Sequence, residues 1–167
     1  ISEFEKNMAR STAIMGDLSD AMMEKLAGTA KEVARELPRS AKEMAEGFFF
    51  LASAGLDATQ SIAALPAVAN FADAQSALGL KSEDAQENLE NLVRVTDVLV
   101  KANTLANATT EQFSRSLTTK AGAAIKIVNK SMEEGVAVLA AFADQGIKAE
   151  MAGTDLNIVF RDLKTKG

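Results

Sequence analysis

The chain has 167 residues, 47% hydrophobic and 25% charged, with a net charge of −5 and no histidine, cysteine, tyrosine or tryptophan. Without imidazole or thiolate, the common nucleophile–base triads, zinc sites and thiol chemistries cannot be assembled. The acidic balance also argues against generic nucleic-acid binding, which neutralises phosphates with Lys and Arg.

A chain of this length buries roughly 70% of the surface its unfolded form exposes, so one domain is stable without a disulfide. The start, Ile1-Ser-Glu-Phe-Glu5, has neither the basic residues nor the apolar core of a signal peptide. It lacks an initiator methionine, and a piece of a longer protein is expected. The longest apolar run, Gly47 to Leu56, is about half of the ~20 residues a membrane-spanning helix needs.

Alanine is abundant and strand-type alternation is absent, so nearly everything reads as helix. The first helix carries Phe4, Met8 and Met15 on one side and ends near Gly16. Ser19 caps a second, with an apolar stripe of Met22, Met23, Leu26, Ala30, Val33 and Leu37, which Pro38 stops. Ser40 and Glu43 form a capping-box pattern, in which each side chain takes up a free backbone N–H of the other. The helix behind them places Met44, Phe48 and Leu51 on one face and Phe49 and Phe50 elsewhere, so its second half is apolar most of the way round.

Gly55 suits the left-handed position after that helix, and Asp57 with Gln60 starts the next, which Pro66 ends or kinks. After Gly79, Ser82 caps the longest helix, about Glu83 to Leu105. It shows two seams, Leu89, Leu92, Thr96, Leu99 and Asn103, and Val95, Val98, Ala102 and Leu105, as expected of a helix packed on two sides. Thr109 and Gln112 open a short helix through Leu117. Residues 118–130 read as a looser segment interrupted by Gly122. Ser131 and Glu134 form another capping box, whose helix ends at Gly146. The last helix carries Leu156, Val159, Phe160 and Leu163 on one face.

A candidate repeat emerges. Ser40-x-x-Glu43, Gly47, Leu51-Ala52 and Gly55-Leu56-x-Ala58 are echoed by Ser131-x-x-Glu134, Gly135, Leu139-Ala140 and Gly146-Ile147-x-Ala149, with separations of 88 residues at the first glycine and 91 at the second. This predicts two copies of one helical hairpin flanking the long helix.

Reactive chemistry has little foothold. The carboxylate neighbours Glu133 and Glu134, Asp84 and Glu87, and Glu87 and Glu90 sit at helix starts, where negative charge suits the dipole. Glycosidase work would need a pair facing each other across a cleft at about 5–9.5 Å. Arg161, Lys164 and Lys166 read as last-turn cations rather than a nucleic-acid arm. Gly153-Thr154-Asp155 reads as a helix opening rather than a phosphate cradle, because no Lys-Ser/Thr follows. Met8, Met22, Met44 and Met132 fall at core spacing.

Ordered blocks along nearly the whole chain carry a family resemblance. They are Ser11-Thr-Ala-Ile-Met-Gly-Asp17, the stretch from Phe49 to Pro66, Ser76-Ala-Leu-Gly-Leu80, Asp97-Val-Leu-Val-Lys-Ala-Asn103, Gly135 to Ile147, and Ala152-Gly-Thr-Asp-Leu-Asn157. In this order they resemble the core region of tail tape measure proteins of long-tailed bacteriophages and prophages. The family pattern carries further small and polar residues before Ser76, a gap that Phe71 to Gln75 bridges directly here.

The resemblance implies a non-enzymatic structural module acting in tail assembly, tail-length determination and genome ejection. It implies no cofactor or metal, and a place in the virion tail, with host bacterial cytoplasm during assembly. The partners it implies are copies of the protein itself and tail tube and tail-tip proteins, with no specific nucleic acid. The alternative is a membrane-active helical hairpin used during DNA delivery.

The expected fold is all-α, a multi-helix bundle of short capped helices around one long central helix, with the candidate repeated hairpin. The expected division is an N-terminal helical segment, 1–37, and a core module, 38–167. Phe48, Phe49, Phe50, Leu51, Gly55, Asp57, Pro66 and Gly146 are the structural and self-association candidates.

Overall fold

A computed structural model describes residues 2–37 and 39–166. These residues form α-helices, one π-helical turn and short connections, and no strand occurs among them. The helices are α1 (Glu3–Met15), α2 (Asp20–Glu36), α3 (Ala41–Ser53), α4 (Ala58–Ala77), α5 (Ala85–Leu105), α6 (Thr110–Ser116), α7 (Gly122–Ile127), α8 (Met132–Asp144) and α9 (Ala149–Lys166), with the π turn at Leu117–Ala121 between α6 and α7.

Local chemistry sets the helix starts. Ser2 with Glu5, Ser40 with Glu43, Thr109 with Gln112 and Ser131 with Glu134 form reciprocal capping boxes. Asp57 and Gln60 exchange the same pair of bonds, at 2.8 and 3.0 Å, at the start of α4. The stops follow glycine: Gly16, Gly55, Gly79 and Gly146 all have positive φ, which costs a residue without Cβ little. The expected stop at Pro38 lies outside the described residues; α2 ends at Glu36.

The chain divides into two compact units, Ile1–Ala69 and Asn70–Gly167. Helices α1 and α2 both pack on α3 in the first of them. In the first unit Leu26, Ala30, Val33, Met44, Phe48 and Leu65 form the centre of one core. The Ser11 hydroxyl donates to the Ala45 carbonyl at 3.2 Å, tying α1 to α3. Gly47 lets α4 approach, since a Cβ there would stand 2.8 Å from Leu65 Cδ1.

Pro66 neither ends α4 nor sets its limit; the helix continues to Ala77. Proline removes one N–H and leaves the carbonyl four residues earlier without its donor. Pro66 is exposed, on a side of the helix where that carbonyl can meet solvent. The Phe71–Gln75 bridge is accordingly uninterrupted helix.

In the second unit the last turns of α4 are fastened to α5 through the buried Gln75, whose amide donates to the Leu80 carbonyl and to the carbonyl and side-chain oxygens of Asn88. Helix α5 begins two residues later than expected, because the Asp84 carboxylate, not the Ser82 hydroxyl, accepts the Glu87 N–H. It buries a single stripe, Leu92, Val95, Leu99 and Ala102, rather than the two expected seams; Leu105 is 71% exposed.

The expected loose segment 118–130 is largely helical. Gly122 serves packing there, since a Cβ would stand 2.8 Å from the Ala77 carbonyl oxygen. Gly153 does not open a helix but lies inside α9, against the backbone of Ser116. Leu156 is fully buried while Val159 and Leu163 stay exposed, so the α9 stripe is covered over only part of its length.

Candidate functional site

The Phe cluster of α3 is divided by its helical phase. Phe48 and Leu51 are taken up in the core of the first unit, while Phe49 and Phe50 remain half-buried with their rings edge to face, centroids 6.1 Å apart. The Arg10 guanidinium of α1 lies over Phe49, 4.4 Å from the ring centre, a cation–π contact. Beside it the Asn7 amide donates to the Glu46 carboxylate at 3.3 Å. Together these two contacts occupy the outer seam between α1 and α3.

Gly55 and Gly146 sit at helix-ending turns, Asp57 caps α4, and Pro66 lies on the exposed side of α4. Of the self-association candidates, only Phe49 and Phe50 are brought together on an outer helix face.

A second feature was not anticipated. Between α5 and α8 runs an open groove of about 510 Å³, lined by Val98, Ala102 and Leu105 from α5 and Val136, Ala137 and Ala140 from α8, with Asp97, Lys101 and Glu133 at its edges. Val98 and Leu105 belong to the second seam of the long helix, so sequence periodicity marks them as apolar. It gives no sign that their partners are too small to fill the space. The groove is tied near both ends. At one, Arg94 grips Glu133 through two N–H···O bonds of 2.9 Å; at the other, the Asn107 N–H donates to the Asp144 carboxylate at 2.9 Å.

Burial would raise the Glu133 carboxyl, but hydrogen bonds from its own backbone N–H and from Arg94 outweigh it and hold the group below the ordinary value. Glu134 is also lowered, by hydrogen bonds from Lys130 and from the Ser131 backbone. Both are therefore anions at neutral pH, unsuited to act as general acids. Lys101 makes no ion pair among the described residues and stands exposed at the groove edge.

Among the described residues, no group of three or more carboxylates could hold a metal ion. None of the described helices is long and apolar enough to cross a membrane. The described residues form an all-α protein with a recessed surface lined mostly by apolar side chains.

The chain belongs to the phage-related minor tail protein family, which it matches over residues 27–167. It is also similar to the tape measure protein of Pneumococcus phage Dp-1, with 29% identity over 163 residues, covering 93% of this chain and 14% of that protein. It thus spans a small part of the curated relative it matches. No solved structure matches this chain. The family makes it a structural component of the phage tail.

Proposed function

We propose that this chain is a structural module of a tape measure protein, acting in tail assembly and tail-length determination and in genome ejection. The observation that carries this reading is the similarity to a phage tape measure protein along 93% of the chain. The fold refines it. A ruler sets length because an α-helix rises about 1.5 Å per residue along a straight axis. Here turns at Gly16, Gly55 and Gly146 help to break the chain into helices of 6 to 21 residues. The module is a compact docking part within the longer protein rather than the straight ruler. Its partners on this reading are further copies of itself, meeting through Phe49 and Phe50, and the tail tube and tail-tip proteins.

The test is genetic. In-frame removal of the codons for these residues from a phage that carries them should abolish full-length tails in electron micrographs while capsids still form. Infectious particles with tails of normal length would overturn the proposal.

A further inference from the structure

The two hairpins noted in the sequence belong to a larger repeat. Helix α3 (Ala41–Ser53) and helix α8 (Met132–Asp144) are 91 residues apart at both ends, as are their caps Ser40 and Ser131 and the turn glycines Gly55 and Gly146. The same separation relates buried positions throughout: Met8 to Leu99, Leu26 to Leu117, Ala30 to Ala121, Phe48 to Leu139 and Leu65 to Leu156, every one at most 9% exposed. Connections also agree: four residues separate α1 from α2 and α5 from α6, α2 from α3 and α7 from α8, α3 from α4 and α8 from α9. The chain is one four-helix motif written twice. Gly47 and Gly135, at 88, are not equivalent; Gly135 corresponds to Met44.

At this spacing the α5–α8 groove has a counterpart in the α1–α3 seam. Asn7, Arg10 and Ser11 correspond to Val98, Lys101 and Ala102, and Glu46 and Phe49 to Ala137 and Ala140. In the first copy the Phe49 ring lies beneath Arg10, with the Asn7–Glu46 bond beside it. In the second copy both large α3-type side chains are reduced to methyl groups, and the place holds about 510 Å³ of open space bordered by Lys101, which makes no ion pair among the described residues.

We propose that the α5–α8 groove is a docking site for an aromatic side chain presented by a helix of a different protein, seated where Phe49 sits in the first copy and covered by Lys101. The lining supplies an apolar bed, and the ammonium a cation for the ring face. A second copy of this chain fits the groove poorly, since none of its eight phenylalanines is exposed as a free ring and it has no Tyr or Trp. The site follows from the fold and does not depend on the tail reading.

The lack of tryptophan makes the chain silent to indole fluorescence. The probe is an Ala/Lys/Glu helical peptide of about 15 residues with one Trp and a Glu three positions before it, the spacing of Glu46 and Phe49. Titration with the whole chain should give a saturable blue shift. Ala140→Phe, which supplies the ring internally, should weaken binding at least about tenfold while melting no lower than the parent. Leu105→Glu, at an exposed groove position, should also weaken it and keeps the test open if Ala140→Phe does not fold. Binding that neither variant changes, absence of binding to the parent, or an Ala140→Phe chain that folds but melts well below the parent would overturn the proposal. Self-association of the parent that Ala140→Phe abolishes would place a second copy in the groove and also overturn it.

Discussion

The Ser116 carbonyl oxygen stands where it would clash with a Cβ on Gly153, and the Ser116 hydroxyl donates to the Ala149 carbonyl at 2.7 Å. Helix α9 therefore meets the end of α6 backbone to backbone, with no flexible side chain between them to give way. Gly153→Ala should destabilise the chain by about 1–3 kcal/mol, as overpacking does. Gly28 is the control: it lies in α2 with nothing within 4 Å of its would-be Cβ. Gly28→Ala should stabilise by about 0.5–1 kcal/mol through helix propensity. Urea melts followed by circular dichroism check both, and equal effects of one sign would refute the packing account.

Ser61 is fully buried in α4, and its hydroxyl has no hydrogen-bond partner among the described residues. Leaving a buried hydroxyl unsatisfied costs about 1–3 kcal/mol. Ala152, 91 residues on, is buried with no polar atom to satisfy. Ser61→Ala should leave thermal stability unchanged or raise it; a fall of several degrees would show that the hydroxyl is partnered in solution.

Pro66 interrupts the hydrogen-bond ladder of a helix that runs from Ala58 to Ala77. Pro66→Ala restores a donor to the Ile62 carbonyl and should stabilise, by up to ~3 kcal/mol on helix propensity. Faster amide exchange around Ile62 in the variant would contradict this.

The start of α8 gives a pH dependence. Glu133 and Glu134 are held below the ordinary carboxyl value, 4.5, by the partners named above. A carboxyl lowered on folding contributes stability that is present above its unfolded value and lost as pH falls through the folded one. Melting temperature should therefore fall as pH drops below about 4.5, and Glu134→Gln should shrink that acid-side slope. A slope identical in the variant would count against the Glu134 carboxylate, with its Lys130 and Ser131 partners, as its source.

Legibility followed the range of the interactions involved. The caps Ser19, Ser40, Thr109 and Ser131 and the turn glycines Gly55 and Gly146 were readable because each acts within a few residues, by satisfying or releasing the backbone locally. So was the burial of Phe48 and Leu51, which share a face of α3.

What spacing along the chain could not state was which neighbours would meet. Local rules assign a break to Pro66 and Gly122, yet both lie within helical structure, Pro66 because it faces outward and Gly122 because the Ala77 carbonyl needs its missing side chain. Periodicity gave α5 two packed sides, and tertiary contact covered one. The groove beside it exists because Ala137 and Ala140 are too small to reach Val98 and Leu105 across the helix pair, a shortfall of volume that appears only once α5 and α8 are brought together.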